Sequence, residues 1–304
     1  MSVNSLIGWL LDSDTAIRWQ VMQDLLDADP AMVWEERSKV AETGWGAALL
    51  SQQTPTGTWQ GDDFTMLITI YSLILLKNMG IDPQNAKVQK AIARIADNLR
   101  WEIFDGQSFF DGETEPCVNG AILTAGSYFG IESKILPGLL LSEQLGDGGW
   151  NCQAPKSKRS SFHTTICVLE GLLEYEKAFG GSEETRKARE RAEEYLLERK
   201  MLRRLSSGKI IDKAWTRFRF PPSWHYDLLR GLEYMRMANR KPERRMQEAI
   251  DTVRMRRHQN SRWPLSKPHK EFQIPFEMET QVGAASKWST MRAMRVLKWY
   301  EAVD

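Results

Sequence analysis

Three residues of this chain have the chemistry of metal ligands and stand at or between expected helix starts. Cys117 opens one apolar run, His163 opens the next, and Cys152 lies in the turn between them. Thiolate and imidazole together suit zinc, and three protein ligands leave one coordination position for water or a substrate thiol. A plainer reading of the same residues stays open: buried thiols packed as small apolar groups, and a histidine that caps its helix. Cys167, one turn beyond His163, reads as core.

Carboxylates and a further histidine occupy matching places. Asp62-Asp63 begins the first apolar run, where an acidic pair caps a helix and complements its dipole. In an apolar cavity the same pair would supply a proton, because one carboxyl beside another keeps its proton more readily. His225, within Pro221-Pro222-Ser223-Trp224-His225-Tyr226-Asp227, opens a further run. It is a fourth ligand, a proton donor or a helix-entry contact, and Asp227 would orient an imidazole or stabilise charge. His258 and His269 stand in charged, loop-like contexts and read as surface residues.

Trp59, Phe110, Trp150, Trp224 and Trp288 all fall near helix starts. Aromatic walls hold apolar chains and stabilise carbocations through their ring faces, but each Trp equally serves as a staple for its own turn. Arg217, Arg219, Arg230, Arg262 and Lys287 fall near the same starts, as anion-binding groups or as solvated surface.

The elements that must position these residues are helices. Apolar periodicity predicts them over 64–79, 117–129, 162–179, 224–238 and 287–302, and Gly80, Gly130, Gly180 and Asn239 supply left-handed ends for four. More polar helices are expected over 31–52, 85–99, 132–144, 182–203 and 241–258, with two short ones before residue 29. The charge run from Ser182 to Lys200 is a solvated face laced with i,i+4 pairs. Gln53-Thr-Pro-Thr-Gly57-Thr-Trp59 recurs as Gln144-Leu-Gly-Asp-Gly148-Gly-Trp150, and in worn form as Arg257-His-Gln-Asn-Ser261-Arg-Trp263. Each is a turn between a charged and an apolar helix, Gly permitting the backbone and Trp pinning it. A repeat of this kind predicts an all-α fold: an (α/α) toroid of alternating inner and outer helices, residues 1–304 forming one domain with 1–29 as a helical extension. Inner helices of a toroid run in one direction and open together at one end of a cavity, where helix N-termini favour anions.

Composition narrows the function. Among 304 residues 42% are apolar, enough for a large core, and the net charge of +1 gives no field for nucleic acid. Three cysteines make no disulfide framework and fit a reducing compartment. The opening MSVNSLIGWLLDSD has no basic leader region or cleavage site, and the longest apolar run, Met66 to Leu76, is too short to span a bilayer. A cytoplasmic location without a transmembrane segment is expected.

These turns and helix starts resemble the prenyltransferase/squalene-cyclase repeat superfamily. The Q-x-x-x-G-x-W turns are similar to those of squalene–hopene cyclases, and the chain also looks like bacterial squalene cyclase-like proteins. Phe162-His163-Thr164-Thr165, ahead of Gly171-Leu172, resembles the Tyr-His-Thr stretch of protein prenyltransferase β-subunits, whose His ligates zinc. Glu115-Pro116-Cys117 stands where those enzymes carry a ligating Asp-x-Cys, which adds Glu115 to the implied ligand set, as the substitute should Cys152 point away. Glu replaces that Asp here, and the cyclase acid motif D-x-D-D becomes Gln60-Gly61-Asp62-Asp63. Protein prenyltransferases also work with a separate helical subunit, so the resemblance admits a partner protein or a homo-oligomer. It implies a zinc-dependent enzyme acting on an apolar, isoprenoid-type small molecule in a central cavity. The competing readings are a metal-independent cyclase with Asp62 or Asp63 as acid, and a non-catalytic toroid binding lipid or protein around structural zinc.

Overall fold

The computed structural model describes residues 3–59, 65–102, 106–269 and 276–302. Its helices follow in chain order: α1 (Val3–Leu11), α2 (Thr15–Asp24), α3 (Pro30–Ser38), α4 (Gly44–Ser51), α5 (Thr65–Met79), α6 (Ala86–Asn98), α7 (Pro116–Tyr128), α8 (Leu136–Ser142), α9 (Phe162–Phe179), α10 (Glu183–Glu198), α11 (Leu228–Met237), α12 (Gln247–Met255) and α13 (Lys287–Glu301). The fold is all-α. The only ladder among the described residues is a hairpin of two-residue strands, β1 (Arg100–Trp101) and β2 (Gln107–Ser108).

Helix ends fall where their local chemistry puts them. Gly80, Gly130 and Gly180 adopt φ of +84°, +82° and +85°, and Asn239 takes +54°, the left-handed conformation expected at each C-terminus. Ser182 and Thr185 form a reciprocal capping box on α10. The expected helix over 31–52 is divided, and Asp14 explains the break. Its carboxylate caps α2 through Ala16 N at 2.8 Å and also accepts Trp45 N at 2.8 Å, so α4 gains its own start beside Gly44 at φ +70°. The helix expected from 224 begins at Leu228 instead, because Asp227 caps it by accepting Arg230 N at 2.9 Å.

The three Gly-Trp turns are built alike. Gln53 Nε2 donates to Gly57 O (3.0 Å) and to Ala91 O on the next polar helix (2.9 Å); Gln144 repeats this on Gly148 O (2.7 Å) and Ala188 O (2.7 Å). The indole N–H groups of Trp59, Trp150 and Trp263 reach back to Leu49 O, Leu140 O and Val253 O at 2.8, 2.7 and 2.8 Å. Each Trp backbone N–H meets a threonine hydroxyl one turn into the following helix: Thr69 (3.4 Å), Thr165 (3.0 Å) and Thr290 (3.0 Å). In the worn third copy Ser261 replaces Gly and still takes φ +61°.

Helices α5, α7, α9, α11 and α13 pack in succession, and α13 returns through α2 and α4 to α5, closing a circuit. α8, α10 and α12 lie against its members. Contacts fix the directions. Tyr71 lies beside Cys117 and Cys167, while further along Lys77 pairs with Glu174 at 3.3 Å and the Tyr128 hydroxyl donates to Ile81 O at 2.6 Å. Arg292 reaches Arg219 O ahead of α11 at 3.4 Å, and Arg295, one turn on, reaches Glu233. These helices therefore run the same way. Leu10, Ile17 and Val21 are fully buried in the common apolar core, so α1 and α2 are built into the body of the fold. No described helix is long and apolar enough to cross a membrane.

Candidate functional site

At the start of α7, Glu113 organises the chain into the helix. Its carboxylate accepts Thr114 N and Glu115 N, both at 2.7 Å, and its backbone is clamped by the Asn119 amide at 2.7 and 2.8 Å. Cys117 then lies in the first turn, with its Sγ donating to Glu115 Oε2 at 3.5 Å. Cys152 arrives from the second Gly-Trp turn. Thr164 Oγ1, in the first turn of α9, contacts both its N and its Sγ at 3.4 Å. As a result one ligand atom each from Glu115, Cys117 and Cys152 lies within 4.8 Å of the other two. Cys117 is buried, Cys152 half-buried and Glu115 exposed, so the trio opens outward from the helix starts.

The two sulfurs differ in character. Hydrogen bonding to Cys152, together with burial, holds the proton on Cys117; the same bond makes Cys152 the more acidic thiol, against its own burial. Two soft thiols and a hard carboxylate are all donors that zinc accepts, and a shared ion at ~2.0–2.3 Å from each atom fits their mutual spacing.

His163 is not part of that trio. Its Nδ1 accepts the backbone N–H of Tyr226 at 2.8 Å, which puts the neutral ring's proton on Nε2. A zinc-bound histidine normally has the opposite arrangement, ligating through one nitrogen and donating from the other. The imidazole instead meets Trp215, Trp224 and His225 edge-on, with centroids at 5.6, 5.1 and 5.8 Å. His225 is sandwiched between Trp224 (3.8 Å) and His269 (3.4 Å, 6° between planes). His269 is therefore no ordinary surface residue, unlike His258, which is exposed. Burial lowers the pKa of His163 to about 4, helped by Arg230, and that of His225 to about 3, helped by His269. His269 falls to about 4 through burial and the nearby Arg219. At neutral pH this aromatic–imidazole shelf is uncharged.

Other expected residues serve the scaffold. Asp227 is buried with both oxygens engaged, by Arg230 N (2.9 Å) and Arg219 N (3.2 Å), so it caps α11 rather than orienting an imidazole. Arg230 is also buried: it pairs with Glu170 at 2.6 Å and donates to Ser223 O (3.0 Å) and His225 O (2.7 Å), fixing the turn that carries His225. Trp59 and Trp150 have no exposed surface and act as turn staples. Phe110 packs edge-on to Phe109 at 5.0 Å, and Trp288 lies against Phe220 at 4.5 Å. Trp224 alone among the five aromatics keeps a half-exposed face. Asp62 and Asp63 lie outside the described residues. Tyr71, which carries no sequence signal beyond its place on an apolar helix, is buried beside Cys117, Cys152 and Cys167, and burial raises its pKa well above the usual tyrosine value. Cys167 is core, as expected, with its Sγ donating to Trp224 O at 3.5 Å.

Two cavities lie apart from the trio and the imidazole shelf. One, of about 390 Å³, lies among α2, α5, α9, α11 and α13 and is lined chiefly by charged and amide side chains rather than the aromatic walls expected of a central cavity. The other, of about 810 Å³, is apolar and runs between α1, α2 and α13, over Leu6, Leu11, Leu25, Met294 and Leu297.

No protein-family model matches the chain, and no curated protein does. Among solved structures it is similar to the type II terpene cyclase MstE from Scytonema, without ligand, at 18% identity and a TM-score of 0.47, over 97% of this chain and 95% of that one. It is similar also to a variant of that enzyme in complex with geranylgeranyl dihydroxybenzoate (substrate), at 16% identity and a TM-score of 0.47, over 98% and 95% of the two chains. The site itself rests on the residues of this chain.

Proposed function

We propose that this chain is a zinc-dependent enzyme acting on an apolar small molecule, with the metal held by Glu115, Cys117 and Cys152. The observation that carries the reading is the mutual approach of those three ligand atoms to within 4.8 Å at neighbouring helix starts. Two sulfurs and one carboxylate leave a fourth position, and zinc there would polarise a substrate oxygen or activate a thiol or water. The chain's own residues do the rest. Thr164 positions Cys152, the Glu113–Asn119 clamp positions Cys117, and Trp224 with the neutral imidazoles of His163 and His225 offers an uncharged aromatic shelf for an apolar group. The sequence resemblance supports an isoprenoid as that group.

Metal content of protein purified without added metal tests this. The expected result is about one zinc per chain in the parent and none in Cys117→Ala or Cys152→Ala, with both variants folded by circular dichroism. A metal-free parent that also fails to take up added zinc overturns the reading.

A further inference from the structure

The parallel helices bring cations together around the 390 Å³ cavity, three of them from last turns. Its lining includes Lys77, Lys177, Arg230, Arg236, Arg292 and Arg295, against the acids Asp24, Glu170 and Glu233. Those acids are already engaged. Glu170 pairs with Arg230 at 2.6 Å, and Glu233 is shared by Arg292 (2.5 Å) and Arg295. Asp24 is divided between Arg295 at 3.3 Å and Arg236 at 3.7 Å, and Lys77 is met from behind by Glu174 at 3.3 Å. Among the described residues Lys177, exposed at the mouth, has no ion pair, and Arg236, whose share of Asp24 is the longer contact, has a buried Nε without a hydrogen-bond partner.

Cations near helix C-termini complement the dipole, which accounts for some of this charge but not for the surplus. Lys177 shows the difference. Desolvation holds its ammonium below the usual lysine range, and Lys77, Arg236 and Arg189 repel it against the attraction of Glu174. Arg236 is lowered likewise, by burial and by Arg295. Amide groups of Gln23, Asn78 and Asn239 add polar partners to the lining.

We infer that this cavity is a binding site for a phosphate-type anion, held by Lys177 and Arg236 with Lys77 behind them. A planar guanidinium and a mobile ammonium facing one polar space are a fitting pair for phosphate oxygens, and the volume falls within the usual range for ligand pockets, ~300–1,000 Å³. An anion there would meet the accessible part of the Arg236 guanidinium and relieve the crowding of Lys177.

The test is isothermal titration of the full chain with inorganic phosphate and with diphosphate, ionic strength held constant with chloride, and with acetate as the carboxylate arm. Saturable binding of phosphate or diphosphate is expected, weakened roughly tenfold or more in Lys177→Gln, the size expected from losing one charged hydrogen bond. Lys187→Gln, an exposed lysine on α10, should bind like the parent. Lys177 stands at the mouth, so its variant keeps the core intact, and thermal unfolding checks that it does. Absence of binding by the parent, binding of acetate alone, or equal binding by the parent and Lys177→Gln overturns the inference. The measurement needs neither metal nor turnover, so its failure and that of the zinc reading are separate results.

Discussion

Gly171 and Gly120 bring two helix backbones into contact. A β-carbon on Gly171 would stand 2.5 Å from the Gly120 carbonyl oxygen, and one on Gly120 would stand 2.5 Å from the Cys167 oxygen. The obstacle in each case is backbone, which cannot swing aside. Since α7 carries Cys117 and α9 carries Thr164, this approach sets how close Cys117 comes to Cys152. Gly120→Ala or Gly171→Ala should cost about 3 kcal/mol or more, at or above the top of the usual overpacking range. Gly138→Ala, with nothing within 4 Å of the new carbon, should be neutral or stabilising. Urea denaturation of the three variants decides this, and equal midpoints would show that the helices can separate freely.

The repeated turn geometry predicts repeated energetics. Trp59, Trp150 and Trp263 each donate to a carbonyl of the preceding helix at 2.7–2.8 Å. Replacement by Phe keeps most of the apolar volume but removes that bond, a cost of about 0.5–1.5 kcal/mol at each site. Replacement by Ala should cost about 3–5 kcal/mol. Similar losses at 150 and 263 would establish that the copy lacking Gly and Gln is as firmly pinned as the intact one.

His163→Ala separates two roles for this residue. Because Nδ1 accepts Tyr226 N–H, the variant should retain zinc while loosening the turn at residues 224–226. Metal content together with amide exchange at Tyr226 reads both. Loss of zinc in a folded variant would place His163 among the ligands after all.

The imidazole shelf makes stability depend on pH. His225 and His269 have folded pKa values of about 3 and about 4, below the ~6.5 of an unfolded histidine. Above pH ~6.5 neither state binds these protons. As the pH falls through that value the unfolded chain takes them up and the native state does not, so stability declines until the folded values are reached. Urea midpoints between pH 7.5 and 4.5 should fall in the parent and fall less steeply in His225→Gln/His269→Gln. An unchanged slope would mean that both rings are solvated.

Glu233 is the carboxylate that two buried or nearly buried arginines share, Arg292 at 2.5 Å and Arg295 at 2.7 Å to its Nε, with Asp24 a second partner of Arg295. Their charges lower its pKa to about 2 despite its burial. Glu233→Gln should therefore destabilise the fold by about 3–5 kcal/mol, the usual cost of breaking a buried pair. A loss under 1 kcal/mol would indicate that water reaches Arg292 and Arg295.

The amino-acid sequence by itself determined the succession of helices. Gly and Asn ends, Asp and Ser caps and the Q-x-x-x-G-x-W turns act through neighbours a few residues away, so their effect is written locally. Even the worn third turn was legible, because Trp263 keeps its spacing and Ser261 tolerates the left-handed backbone. Cys117 and Cys152 were legible as ligand candidates, but their grouping with Glu115 rather than His163 was not, because Cys152 lies in a turn well ahead of α9 and is placed by its contact with Thr164.

Tertiary structure decided which way side chains turn and what meets them. Asp14 splits the 31–52 segment because a cap from α2 reaches Trp45 across space, which no local pattern reveals. His163 faces Tyr226 rather than the two thiols, and His269 joins the shelf from a segment with no apolar period. The cation-lined cavity arises because Lys77, Lys177 and Arg236, each an ordinary last-turn residue on its own helix, are aimed into one space by parallel packing. Side-chain meeting depends on helix rotation and separation, and those are set by backbone contacts such as Gly120 on Cys167, between residues far apart in the chain.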